Sequence, residues 1–295
     1  MLFYIIKMIE EIIGGEYLIL KTLEKGGTSI VYLVKSLVTG GEYAAKVYES
    51  QYEYFKREVE ILKKLSLYNI SGITHLISYG ESPIVRGGVP DEDSQPYIII
   101  EYIPNKDLLY HVQELNGLDE IRAKRIFYKI LKIVEECHNN GIFHRDLKLE
   151  NILLDEKFNP ILCDFGYAGI IERENVSRKS TEFLGTNYYI PPEILSKIPY
   201  DGFKCDIFSL GVILFCLVFC SFGFSSANGF NKFYKLIINK EYGKYWTEIG
   251  KKIGFEMVNN ASPEFKNLYL QMVAYKPDER PNISEILNHE WMKGI

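Results

Sequence analysis

The run Ile207–Phe224, IFSLGVILFCLVFCSFGF, constrains the fold of this chain more than any other stretch. A helix that is apolar on every side lies either in a bilayer or at the centre of a domain large enough to surround it. Its 18 residues approach the roughly 20 that a membrane span requires. Asp206 precedes the run, and Ser209, Gly211, Ser221 and Gly223 interrupt it. On its own the run leaves both outcomes open. The chain has 295 residues, room for about two domains at roughly 100–200 residues each. With 47% hydrophobic and 25% charged residues the composition is that of a globular protein, which excludes collagen-like, mucin-like and wholly disordered classes. The 22 Tyr and 17 Phe supply enough ring area for a sizeable core. Lys and Arg number 34 against 39 Asp and Glu, a net charge of −5, which argues against nucleic acid or an anionic membrane as the main partner.

Residues 1–13 are apolar but carry Lys7, Glu10 and Glu11 and lack a basic start and a small-residue cleavage site. They are expected to be neither a signal peptide nor a span. The five cysteines are odd in number and form no CxxC pair, as in a reduced, intracellular protein.

No repeat, low-complexity tract or long linker divides the chain. The first third alternates as strands do, at Tyr17–Leu23, Ile30–Lys35 and Glu42–Tyr48. A helix is expected from Tyr52 to Leu65, with Phe55, Val59, Leu62 and Leu65 on one face. Strands at Thr74–Tyr79 and Tyr97–Tyr102 follow, with residues 81–95 between them read as loop from their Pro, Gly and acidic content. From Ile121 onward helical periods dominate, with a change of character near Pro104–Asp107. The fold class is therefore α+β, in two unequal lobes with a ligand site expected between them.

The chemistry is concentrated in His144-Arg145-Asp146-Leu147-Lys148-Leu149-Glu150-Asn151, followed by Asp164-Phe165-Gly166. Either motif alone is common; both together, separated by strand-like Ile152–Leu154 and Ile161–Cys163, are specific. In these residues the chain resembles the eukaryotic protein kinase family, from about Tyr17 to Trp291. The resemblance implies the bilobal kinase fold: a small β-rich N-lobe with one main helix at 17–103, a larger α-helical C-lobe at 104–292, and residues 1–16 as an N-terminal extension. It also assigns Ile207–Phe224 to the core helix of the C-lobe, with Asp206 buried at its start, and removes the membrane span.

Phosphoryl transfer demands positioning and charge neutralisation more than covalent chemistry. The resemblance makes Asp146 the acceptor of the attacking hydroxyl's proton, Asn151 and Asp164 the Mg²⁺ ligands, and Lys148 the contact to the transferred phosphate, in a serine/threonine-kinase pattern. Lys46, in Tyr43-Ala44-Ala45-Lys46-Val47, matches the lysine that grips the α- and β-phosphates of ATP. Glu58 is its expected partner, preferred over Glu53 and Glu60 because Ile61 and Leu62 follow at the family's offsets. The glycine-rich loop is the weakest match, since its first and third glycines are Glu24 and Ser29. Gly26 and Gly27 remain, beside Leu23. Nucleotide binding is expected to survive but to be weaker than in typical members. Val31 and Ala44 above and Leu153 below would sandwich the adenine, or simply pack the core. Ile100, Glu101 and Ile103 correspond to the hinge, and Asp107 to a ribose contact or to a solvated loop residue.

Thr186, in Gly185-Thr186-Asn187-Tyr188-Tyr189-Ile190-Pro191-Pro192-Glu193, falls where a hydroxyl bridges the catalytic Asp and Lys, and Glu193 is expected to pair with Arg280. Glu182 stands where many kinases carry a phosphorylated residue. Arg145 is the one guanidinium expected to receive it, in a bidentate pair that orders the segment without phosphate. Ser180 and Thr181 as phosphosites are the rival reading. Glu150 and Asp107 suggest substrates basic near the acceptor. The segment ISEILNHEWM places the calcium/calmodulin-dependent and AMP-activated kinases nearest by pattern, and no autoinhibitory tail is expected after Trp291. The implied activity is transfer of the γ-phosphate of Mg-ATP to Ser or Thr of protein substrates, in the cytoplasm or nucleus. A catalytically silent pseudokinase scaffold and a small-molecule kinase are the alternatives.

Overall fold

The computed structural model describes residues 11–27, 29–49, 52–171 and 179–295. The chain divides into two compact units, one ending at Leu67 and resuming at Thr74–Tyr102, the other formed by Tyr68–Ile73 and Ile103–Ile295.

The first unit is one sheet with one helix. Its strands are β1 (Glu11–Ile13), β2 (Tyr17–Lys25), β3 (Ser29–Ser36), β4 (Glu42–Tyr48), β5 (Leu76–Ser82), β6 (Val85–Arg86), β7 (Val89–Pro90) and β8 (Gln95–Glu101). Helix α1 (Tyr52–Leu67) lies between β4 and β5 in sequence. The sheet order is β5-β8-β4-β3-β2-β1-β6-β7. Two features differ from the sequence expectation. Residues 1–10 of the expected N-terminal extension lie outside the described residues, but Glu11–Ile13 pairs antiparallel with β2 and so belongs to the sheet. Within 81–95, read as loop, β6 and β7 form a hairpin whose first strand pairs with β1. The reason is Gly87-Gly88: both glycines have positive φ (58° and 85°), as a two-residue turn matched to strand twist requires. The unit's core is Ile13, Tyr17, Val34, Ala45, Val47, Ile84, Tyr97 and Ile99. Helix α1 buries Phe55, Val59, Leu62 and Leu65 as its spacing predicts, together with Ile61 and one charged residue, Glu58.

The second unit contains α2 (Leu108–Glu114), α3 (Glu120–Asn139), β9 (Ile142–Phe143), β10 (Ile152–Leu154), β11 (Pro160–Leu162), β12 (Gly169–Ile170) and β13 (Lys179–Ser180). It continues with α4 (Pro192–Leu195), β14 (Tyr200–Asp201), α5 (Gly202–Phe219), α6 (Lys232–Ile238), α7 (Tyr242–Ile253), α8 (Phe255–Asn260), α9 (Pro263–Met272) and α10 (Ile283–Leu287). Helix α5 is the long apolar helix, and 83% of it is buried inside the protein. By length and composition it could cross a bilayer, but its all-round apolar surface is consumed by packing against α3 and α9. Asp201 caps its start by accepting from the Phe203 amide at 2.9 Å. It ends at Cys220, which takes the left-handed conformation at φ 46°, so the apolar run leaves the helix before Phe224. Phe215 and Phe219 meet Trp246, Phe265 and Tyr269 in an aromatic cluster at the end of this helix. At Gly169 and Gly202 an added Cβ would sit 2.4 and 2.2 Å from the Phe143 ring, so two glycines make the space that ring needs.

Glu193 of α4 and Arg280 form a buried, two-pronged pair, Nη1 to Oε1 at 2.7 Å and Nη2 to Oε2 at 2.8 Å. The guanidinium also donates to the carbonyls of Ala274 and Lys204, both at 2.9 Å. Removing one member strands a buried charge. Glu193→Ala is expected to cost about 3–5 kcal/mol in urea unfolding, and the joint change Glu193→Leu with Arg280→Met to recover most of it. A loss below about 1 kcal/mol in the single variant would contradict this role.

Candidate active site

The segment after β9 is hung on a carboxylate that the core helix supplies. Asp206, in the second turn of α5, is fully buried. It accepts from the backbone amides of His144 at 2.7 Å and Arg145 at 2.8 Å, and lies 2.9 Å from His138 Nε2. The His144 ring in turn meets the Cys163 carbonyl through Nε2 at 3.0 Å and packs at a tilt against Phe165, whose side chain is fully buried. Arg145 (φ 65°) and Asp164 (φ 60°) both adopt left-handed backbone conformations. Such conformations cost of order 1–3 kcal/mol outside glycine, persist where the surroundings over-determine them, and cluster at working sites.

These anchors place Asp146 at the focus of three side chains. Its Oδ1 accepts from the Thr186 hydroxyl at 2.8 Å. Its Oδ2 lies 2.9 Å from Lys148 Nζ and accepts from Asn151 Nδ2 at 3.2 Å. Asn151 Nδ2 also donates to the Asp146 carbonyl at 2.9 Å, which turns the amide oxygen of Asn151 away from Asp146. Lys148 completes the ring by donating to Thr186 Oγ1 at 3.1 Å. Burial alone would push the Lys148 ammonium down. The charge and hydrogen bond of Asp146, with Asp164 and Glu150 behind them, outweigh it and hold the group above the ordinary lysine range. Asp164 Oδ1 accepts from the Gly166 amide at 3.3 Å. Asp146, Lys148, Asn151 and Thr186 are thus brought together as the sequence implied.

Arg145 is the second focus. Nη1 donates to Glu182 Oε2 at 2.6 Å, to Ser180 Oγ at 3.1 Å and to the Tyr200 hydroxyl at 3.3 Å. Nε and Nη2 donate to the carbonyls of Tyr167 and Ala168. The expected Glu182–Arg145 pair is present, but not as a bidentate fork, because the other donors hold backbone. Tyr200, which sequence reasoning missed, donates its hydroxyl to the Glu182 carbonyl at 2.9 Å.

Within the strand-rich unit, Lys46 of β4 meets Glu58 of α1 at 2.7 Å, both buried. Glu53 and Glu60, the rival partners, are exposed and face Lys56 and Lys64. The Tyr48 hydroxyl also donates to Glu58 Oε2, a contact the sequence reading missed although Lys46 and Tyr48 share one face of β4. At the tip of β2–β3 the Gly26 amide donates to the Ser29 carbonyl at 3.0 Å. A Cβ on Gly26 would come 3.3 Å from that same oxygen, so the turn leaves little room for a side chain. Leu23, Gly26 and Gly27 are exposed and Ser29 is buried; Val31 is half-buried and Ala44 buried. Ile100 and Glu101 end β8, and the Glu101 amide donates to the His75 carbonyl at 3.1 Å.

In the helical unit Ile103 and Leu153 are half-buried. Asp107 is not a free loop residue: it caps α2, its Oδ1 accepting from the Tyr110 amide at 2.7 Å. Asp107 directly ahead of Leu108-Leu109-Tyr110 is a helix-start signal that could have been read. Among the described residues no group of three or more His, Cys, Asp or Glu gathers as a metal cage. Asp164 and Asn151 together still fit Mg²⁺, which takes one or two protein oxygens and fills its remaining positions with water and phosphate.

Residues 17–292 match the family described as protein kinase domain. CBL-interacting serine/threonine-protein kinase 13 of Arabidopsis thaliana is 32% identical over 96% of this chain and 52% of its own length. Sperm motility kinase Z of Mus musculus is 31% identical over 94% and 50%. The probable serine/threonine-protein kinase MARK-B of Dictyostelium discoideum is 30% identical over 94% and 36%. The chain spans about half the length, or less, of these curated relatives.

Because Asp146 opposes the effect of burial on Lys148, Asp146→Asn is expected to lower the Lys148 pKa, measured by the pH titration of its side-chain nitrogen resonance. An unchanged or raised value would contradict the coupling. Asp206→Asn replaces an accepting oxygen with a donor and leaves a buried amide unpaired, an expected loss of about 1–3 kcal/mol in urea unfolding.

Proposed function

This chain belongs to the protein kinase family, and from that premise we propose that it transfers the γ-phosphate of Mg-ATP to serine and threonine hydroxyls of intracellular proteins. The observation that carries the reading is the Asp146 carboxylate, oriented on one oxygen by Thr186 and on the other by Asn151 and Lys148. An acceptor hydroxyl at this carboxylate finds a base already held in place, and the ammonium of Lys148 stands ready to neutralise phosphate charge. Asp164 and the amide oxygen of Asn151 would hold Mg²⁺. The metal, when bound, neutralises developing charge on the phosphates. Lys46, kept extended by Glu58, would take the α- and β-phosphates. Ile103 would supply an amide and Glu101 a carbonyl to the adenine edge, with Val31, Ala44 and Leu153 on its faces and Leu23, Gly26, Gly27 and Ser29 over the phosphates.

Glu182 stands in for a phosphate. Its contact with Arg145 ties the segment before Thr186 to the residue beside Asp146, a link that otherwise awaits modification. The protein is therefore expected to be active without phosphorylation of Ser180 or Thr181. Glu150 would take a basic substrate side chain, and Asp107 could assist through the carboxylate oxygen that the α2 cap does not use. A silent-scaffold reading draws support from Glu24 and Ser29 in the glycine loop, but it leaves the ordered Asp146 cluster without a role.

Phosphate transfer to peptides offering Ser, Thr or Tyr, with Asp164→Asn as control, tests the reading. Transfer to Ser and Thr, abolished by the control, is expected; no Mg-ATP binding at millimolar concentration would overturn it. Protein freed of phosphate is expected to keep its full rate and Glu182→Ala to lose at least tenfold, about 1.4 kcal/mol in the barrier. Activity that appears only with phosphate on Thr181 would refute the stand-in.

A further inference from the structure

Helices α6 and α7 present a pair of lysines outside the ion pairs formed among the described residues. Lys232 opens α6, Lys252 lies at the end of α7, and both are exposed. Their ammonium groups flank the Phe233 ring, 4.7 and 5.6 Å from its centroid. Lys252 Nζ donates to the Phe222 carbonyl at 2.6 Å. Among the described residues neither lysine forms an ion pair; Glu248, close enough to feel Lys232, gives its hydrogen bond to Lys251. Partial desolvation of its ammonium and, behind it, the positive charge of Lys232 hold Lys252 below the ordinary lysine range. Two cations that repel one another beside apolar rings gain from any anion placed between them.

The lysine pair borders an aromatic surface that leads back to the reacting carboxylate. Phe222, whose carbonyl holds Lys252, stacks on Tyr188 at 4.4 Å and meets Tyr189 edge-on at 5.6 Å. Tyr188 is 42% exposed, and Phe230, just before α6, is fully exposed. Two residues before Tyr188 stands Thr186, whose hydroxyl donates to Asp146. On the other side of the Tyr189 ring the charge reverses, because the Tyr189 hydroxyl donates to Glu150 Oε2 at 3.5 Å.

We propose that Lys232 and Lys252, with Tyr188, Phe222 and Phe233, form a substrate-recognition site for a segment carrying an acidic or phosphorylated side chain beside an apolar one. The inference rests on the protein kinase reading above and refines it. The lysines select an anion and repel a basic residue, while the rings take the apolar neighbour. With Glu150 taking a basic residue, the preferred substrate is polarised in charge along its length, and a uniformly basic peptide is a poor one.

The test is a set of serine peptides in which Glu, phosphoserine, Ala or Lys is stepped through each position flanking the acceptor, read as kcat/KM. At one or two neighbouring positions Glu or phosphoserine is expected to exceed Lys by roughly fivefold or more, from two exposed charge contacts. The Glu and phosphoserine arms distinguish a carboxylate from a phosphate ligand. The double variant Lys232→Glu/Lys252→Glu is expected to invert the ratio of acidic to basic peptide, whereas a fold defect would lower both alike. An unchanged ratio in that variant, or Lys favoured at every position, overturns the proposal. If no peptide is phosphorylated, the kinase reading fails on its own, and fluorescence-polarisation binding of the labelled phosphoserine peptide decides this one. Binding that weakens with salt and is lost in the double variant supports the site; absence of binding overturns it.

Discussion

Asp206 is the point on which the working part of the helical unit depends. A fully buried carboxylate is tolerable only when its oxygens are occupied by donors, and here they meet two backbone amides and an imidazole. The donors belong to α3 and to the segment that follows β9 and carries Asp146, so one charge on the core helix fixes where that segment leaves the sheet. The left-handed conformation at Arg145 follows, since the chain must turn sharply to present two successive amides to one carboxylate. The apolar run that surrounds Asp206 thus has a second consequence beyond filling space. It makes the interior dry enough that the amides have no water to exchange for, and the loop geometry becomes a property of the core.

From Arg145 the same logic extends outward. Its guanidinium is almost wholly buried, yet it reaches a carboxylate that is 42% exposed. An exposed partner alone would contribute little to stability. What matters is that Nη1 also touches Ser180 and Tyr200, so the segment around Glu182 is held by several modest contacts that close on one group. The strand-rich unit shows the same device on a smaller scale, with the buried Glu58 carboxylate shared between Lys46 and Tyr48. In both units a charged group on an otherwise apolar face marks the residue that positions chemistry.

Much of this was legible from residue order. The two acidic motifs, the Glu193–Arg280 pair and the Glu182–Arg145 contact stand where the resemblance put them. Glu58 could have been separated from Glu53 and Glu60 on periodicity alone, because it shares a helix face with Phe55, Leu62 and Leu65. The Gly87-Gly88 hairpin and the Asp107 cap are also written locally, in turn and capping chemistry rather than in composition. Other features were not local. That His138 joins Asp206, or that Tyr200 reaches back to Glu182, depends on elements far apart in sequence. The end of α5 at Cys220 carries no sequence signal, since a left-handed cap is usually glycine and the nearest one is Gly223.

The central claim is that the loop bearing Asp146 is preset by the buried Asp206 carboxylate, before any nucleotide or modification acts on it. Native-state hydrogen exchange at the His144 and Arg145 amides measures this directly. The account predicts that both exchange only with the global unfolding of the helical unit, as slowly as the core amides of α5. Exchange at the rates of an exposed loop, well ahead of α5, would contradict it.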